Sequence, residues 1–267
     1  PFHARIRIAD VLRYKHKIAE AERIYADCQE TVANGDGAKS DDGAAKAHIS
    51  YGLGCIRLAQ ARYSEAKAFL EGACSDVGGD SAALGGDARI ALSRLYMMTG
   101  QYEEADRVLQ DAVGKLNRRT ASDVHIADAV IASVELMLIL GRYKEARDAL
   151  RRPMERLRAG CIGPNIRVGA VELLRAQIEV SCNDYSAVER HLENAQRSLG
   201  NQVDPTHPIY MEYRRMAAAY FDAIGQYDRA SSIFRWNLET ASANYGIDHP
   251  VVADNATGLG YSLIGSQ

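Results

Sequence analysis

Apolar side chains recur along this chain at intervals of three and four residues, the period of one helical face. The alternation of a half-buried strand, bounded by turn residues, is missing throughout. The longest apolar run, 129–140, is broken by Glu135. It falls short of the roughly 20 residues a bilayer span needs. The pattern therefore predicts an all-α chain, with about 70% helix or more against a base rate near one third, and no membrane-crossing segment.

One six-residue phrase punctuates the helical pattern: a turn residue, a polar residue, Tyr, two mostly polar residues, then Ala. It stands at Gly100–Ala105, Gly141–Ala146 and Gly225–Ala230, with weaker copies at Ala61–Ala66, Asn183–Val188 and His16–Ala21. The turn residues are 16, 61, 100, 141, 183 and 225, at spacings of 45, 39, 41, 42 and 42. A second phrase keeps the same period. His207-Pro208 and His249-Pro250 lie 42 apart, which places a seventh turn residue at Gln267. A self-similar period of this size is the signature of a repeat architecture.

Aligned on the turn, the copies give columns. Seven residues before it stand Ala9, Gly54, Ser93, Val134, Ala176, Ala218 and Gly260, all small but Val134. Five after it stand Ala21, Ala66, Ala105, Ala146, Val188 and Ala230. Nine after it stand Tyr25, Leu70, Leu109, Leu150, Leu192 and Phe234, all large. Small residues let two paired helices approach, and large ones fill the space between successive pairs.

This pattern resembles the tetratricopeptide repeat (TPR), a unit of two antiparallel helices. The period near 42 and the His-Pro before a first helix resemble the longer repeats of kinesin light chains. The resemblance covers essentially the whole chain. It implies a right-handed α-solenoid of about six and a half repeats, as a single domain over 1–267. The repeats run over 1–44, 45–84, 85–123, 124–164, 165–206 and 207–248, with a lone first helix at 249–267. On this reading the chain ends where a partner helix would follow. Leu259, Leu263 and Ile264, on a last helix from Val251 to about Gly265, then lack part of their cover and favour self-association through that end. The start at Pro1-Phe2, with no initiator Met, reads as a fragment of a larger protein.

The linkers 34–43 and 76–86 are polar and glycine-rich and read as irregular. Pro208 and Pro250 open helices, where a missing N–H costs nothing. Pro153, inside an expected second helix, should kink or shorten it. Charge changes little: 32 basic against 35 acidic residues leave a net −3, without the basic excess of a phosphate-binding protein, so no nucleic-acid partner is expected. Five cysteines, odd in number and without C-x-x-C spacing, suggest neither zinc nor a disulfide framework. They read as reduced thiols in a cytoplasmic setting.

Candidate chemistry dissolves into the repeat. Gly35–Ser40 faintly resembles a phosphate loop, but Ala38 replaces the required Gly and no strand precedes it. His207 and His249 recur once per repeat at a helix start, so they read as caps. Asn255-Ala256-Thr257 fits a glycosylation sequon but falls within an expected helix. The recurring tyrosines read as repeat core. No catalytic constellation, cofactor or metal site is expected.

In TPR proteins the first helix of each pair lines a concave face. Positions 6, 10 and 13 before the turn trace one stripe on that helix, and their chemistry varies while the packing columns do not. The candidate groove residues are Tyr51, Ile90, Arg94, Ile131, Glu135, Leu173, Gln177 and Arg215. Ile90, Ile131 and Leu173 read as an apolar floor beside Arg94, Glu135 and Gln177, which suits a peptide or partner helix. Arg94 and Glu135, one repeat apart in the same column, are expected to meet. The Lys/Asn/Arg set that clamps chaperone tails is missing, and so is the Asn ladder of kinesin light chains. The reading is a non-enzymatic protein-interaction scaffold. The alternative is a sensor or regulatory module of a larger signalling NTPase or transcription regulator, where the repeats hold another domain.

Overall fold

The computed structural model describes residues 2–34, 42–75, 82–116, 123–151, 165–200 and 203–267. These residues are 86% helical, in thirteen α-helices and one short 3-10 turn, with no strand among them. The chain divides into two compact units, residues 1–136 and 137–267.

The first unit contains α1 (Phe2–Tyr14), α2 (Ile18–Ala33), α3 (Asp42–Ala59), α4 (Tyr63–Ser75), α5 (Ala82–Met98), α6 (Tyr102–Leu116) and most of α7 (Asp123–Ile139). The second contains α8 (Tyr143–Ala149), α9 (Ile166–Ser181), α10 (Val188–Leu199), α11 (Pro208–Ala223), α12 (Tyr227–Tyr245) and α13 (Pro250–Gly265). Within units, α1 packs on α2, α3 on α4, α5 on α6, α9 on α10 and α11 on α12. First helices also meet across repeats, α1 on α3, α3 on α5 and α9 on α11. This is the TPR solenoid arrangement of stacked helix pairs, all-α as expected.

Each predicted turn residue closes its first helix in the same way. His16, Ala61, Gly100, Gly141, Asn183 and Gly225 all have positive φ, between 56° and 76°. The following N–H bonds the carbonyl five residues back, as in Lys17 to Leu12 at 2.8 Å, Gln101 to Tyr96 at 2.8 Å and Gln226 to Phe221 at 2.8 Å. The turn residue's own N–H bonds the carbonyl three back, as in Gly225 to Asp222 at 3.0 Å. These paired bonds are the Schellman closure, which needs a left-handed residue. The Gln267 N–H makes the equivalent short bond to Ile264 at 3.3 Å.

The packing columns are buried as the sequence requires. Ala21, Ala66, Ala105, Ala146, Val188 and Ala230 are wholly covered, and the large column after them is almost so. Size is matched across repeats. Tyr25 lies against Gly52 and Phe234 against Gly258, so close that an added Cβ at either glycine would overlap the ring. Where the large residue is Leu70 or Leu109, the corresponding partner is Ala91 or Ala132, in one shared cluster.

Two expectations need adjustment. The linkers are shorter than composition suggested, because α3 begins at Asp42 and α5 at Ala82. Gly85 and Gly86 are buried in α5, which runs through them despite the helical cost of glycine, about 1 kcal/mol each. Pro153 and the stretch 35–40 lie outside the described residues.

Candidate functional site

The predicted stripe exists in the first unit as a row of half-buried polar side chains on α1, α3, α5 and α7. Asp10 accepts a hydrogen bond from Tyr25 Oη at 2.7 Å, and His48 Nε2 lies 2.9 Å from its other oxygen. Burial pushes the Asp10 carboxyl up, but the His48 and Tyr25 contacts and the nearby Arg13 cation hold it below its usual value. Arg13 lies 5.0 Å over the Tyr51 ring, and its buried Nε finds no hydrogen-bond partner. Burial raises both the Tyr51 hydroxyl and the Cys55 thiol, so both stay neutral. Further along, His125 Nδ1 is 2.8 Å from Asp87 Oδ1.

Arg94 and Glu135 meet as expected. Arg94 Nε donates to Glu135 Oε2 at 3.0 Å and Nη2 to Oε1 at 3.4 Å, a two-pronged bridge between α5 and α7. Glu135, with Asp128 nearby, holds the guanidinium charged. Both side chains remain partly exposed, at 40% and 31%.

The apolar floor is a different matter. Ile90, Ile131 and Leu173 are only 3%, 4% and 3% exposed. Ile90 belongs to the core cluster shared with α6 and α7. Offset arithmetic puts the tenth position on the same face as the sixth and thirteenth, but stacked neighbouring helices cover it. Each of the three, Ile90 and Ile131 in the first unit and Leu173 in the second, offers almost no surface to a ligand. In the second unit Gln177 is half-buried, and Arg215 is held by Glu212 on its own helix through bonds of 2.8 and 2.6 Å.

The histidine caps are present as read. Ile209 N–H donates to His207 Nδ1 at 3.2 Å, and Val251 N–H to His249 Nδ1 at 3.3 Å. Asn255 is buried in α13, its amide donating to Val251 O at 2.7 Å. Cys28, Cys55, Cys74 and Cys182 stand as thiols, outside any disulfide. Among the described residues no group of three His, Cys, Asp or Glu side chains could hold a metal ion, and no helix is long and apolar enough to cross a membrane.

The sequence reading missed a cavity of about 560 Å³ in the second unit, between α10, α11 and α12. Leu192, Tyr213, Ala217, Tyr220, Phe221, Ile233 and Trp236 form its apolar surface, with Arg214 and Arg229 on one side and Glu189 and Glu193 on the other. The signal was in the columns. Position 236 holds the chain's only tryptophan, where the other copies carry Asp27, Gly72, Asp111, Arg152 and Asn194.

No protein-family model matches this sequence, and no curated protein matches it. Several solved structures match the fold. BtubC (BKLC) from P. vanneervenii superposes with a TM-score of 0.57 at 15% identity, over 92% of this chain and 93% of that one. A thermophilic TPR protein in Thermus thermophilus gives 0.53 at 20% identity, over 80% and 98%. The APC/C hetero-tetramer Cut9–Hcn1 gives 0.58 at 15% identity, over 97% of this chain and 52% of that one. At these identities the likeness establishes the fold.

Proposed function

From the TPR fold as premise, we propose that this chain is a non-enzymatic protein-interaction scaffold, and that the polar stripe on α1, α3, α5 and α7 receives a peptide or partner helix. The observation that carries this reading is the Arg94–Glu135 bridge with its neighbours. It is a half-exposed charged row on helices whose other faces are given over to packing. Such a row fixes the register of a bound chain by charge and hydrogen bonding, while the covered Ile90 and Ile131 keep it rigid. Recurrence supports a non-catalytic role, since His207, His249 and the tyrosine two after the turn come back at the same place in successive repeats. The Cut9–Hcn1 assembly is a case of a similar fold in a protein complex.

Finer features belong to the same proposal. The period near 42 and the likeness to BtubC (BKLC) support a kinesin-light-chain-like repeat type, treated as one domain. Cysteines held as thiols support a cytoplasmic setting. A peptide ligand is the partner, in preference to nucleic acid. The exposed end of α13 provides for self-association.

The test is a peptide-display selection on the purified protein, followed by affinity measurement with Arg94→Ala and Glu135→Ala combined. An exposed ion pair contributes only about 0–1 kcal/mol to stability, so the melting temperature should hardly move. Binders should weaken by about tenfold or more. Selected binders that ignore both substitutions would place recognition elsewhere.

A further inference from the structure

The cavity in the second unit lies on the face of α11 opposite its own stripe positions. Its α11 residues stand 4, 5, 8, 11 and 12 positions before the turn, across the helix from positions 6, 10 and 13. Two small residues line it: Ala217, where other copies have Leu53, Leu92, Ser133 or Arg175, and Ser232, where they have Arg23, Ala68, Arg107, Asp148 or Arg190.

Its charges depart from the repeat in a definite way. In two other copies an arginine eleven before the turn pairs with an aspartate eleven after it. Arg5 binds Asp27 at 3.3 Å, and Arg89 binds Asp111 at 2.5 Å. Arg214 occupies the same position, but its opposite number is Trp236. The guanidinium lies 3.6 Å from that ring and 5.3 Å from the Tyr210 ring. A second reversal adds to the first. Four after the turn, Glu20, Glu65, Glu104 and Glu145 give way to Arg229, which lies 4.1 Å over Phe221. Arg214 donates to Pro205 O and Arg229 to Gln226 Oε1, and neither makes an ion pair among the described residues. On the opposite wall Glu193 is engaged by Arg197 at 3.6 Å.

A guanidinium stacked on an aromatic face keeps its edge N–H groups free, in a fork that fits a carboxylate. We propose that this groove is a second docking site, for an amphipathic protein segment whose apolar side chains enter between α10 and α12. Carboxylates along one edge of that segment meet Arg214 and Arg229, supplying the counter-charge that Asp27 and Asp111 supply within their own repeats. The site is independent of the stripe on α1 to α7, and either can fail without the other.

Trp236 reports on the groove directly, as the chain's sole tryptophan and 38% exposed. Three synthetic amphipathic peptides share Leu and Phe on one face and differ only along one edge, which carries Glu, Gln or Lys. Each is titrated into the protein while tryptophan emission is followed. The Glu peptide should change the emission saturably and bind at least about tenfold more tightly than the Gln peptide, with the Lys peptide weakest. Added salt should narrow the gap. Arg214→Gln with Arg229→Gln should abolish the preference for Glu while leaving the helical circular dichroism intact. Labelled-peptide anisotropy on Trp236→Ala should show weakened binding. Equal affinity for Glu and Gln peptides, a preference that survives the double variant, or no emission change with the Glu peptide would each overturn the proposal.

Discussion

At residue scale the turn column exposes a difference in backbone cost between copies that share one geometry. Gly100 and Ala61 occupy the same left-handed position, at φ 75° and 56°. An L side chain there costs roughly 1–2 kcal/mol, offset in part by the entropy glycine loses on folding. Space is not at issue at Gly100, where an added Cβ would meet nothing. Ala61→Gly should therefore raise the stability of the first unit by up to about 1 kcal/mol, and Gly100→Ala should lower it by a similar amount. Denaturant unfolding of the two variants beside the parent checks the opposite signs. Shifts in the same direction would contradict the account of the turn.

At the scale of elements the helices interlock by size, and this was the most legible property of the sequence. Recurrence turns each column into several independent readings of one environment. The turn residues, the covered alanines and the large residue nine places on could therefore all be placed before any coordinates. The Tyr25–Gly52 and Phe234–Gly258 contacts carry a prediction. Gly258→Ala should destabilise α13 against α12 by about 1–3 kcal/mol, as overpacking does. Adding Phe234→Leu recreates the leucine–alanine pairing of Leu70 with Ala91 and should recover much of that loss. A double-mutant cycle measures the coupling. Simple additivity would mean that the two residues do not compete for the same space. What the sequence hid was cover by neighbours. Ile90 and Ile131 share a helical face with Arg94 and Glu135, and periodicity within one helix does not say which positions the next helix closes over.

At the scale of the whole molecule, two surfaces among the described residues carry the proposals, the stripe of the first unit and the groove of the second. One was legible and one was not. The Arg94–Glu135 contact followed from column position alone. The groove around Trp236 did not, because columns report what copies share, and this groove depends on how one copy departs from the rest, with Trp236 and Arg229 where other copies carry Asp111 and Glu104. A third feature belongs to the end of the chain. Tyr261 and Ile264 are 69% and 70% exposed on α13, and Gly260 faces open space where its counterpart Gly54 meets Leu70. If this face drives self-association, Ile264→Lys should lower the dimer fraction in sedimentation equilibrium without changing helix content. An unchanged dimer fraction would assign association to another surface.

The central claim is that partners are received by the first helices of the first unit. Hydrogen–deuterium exchange with and without a display-selected binder tests it most directly, because it reads every helix in one experiment. Slowed exchange concentrated in α3, α5 and α7, around Tyr51, Arg94 and Glu135, is the predicted result. Slowing confined to the second helices α4 and α6, with the first helices unaffected, would contradict it.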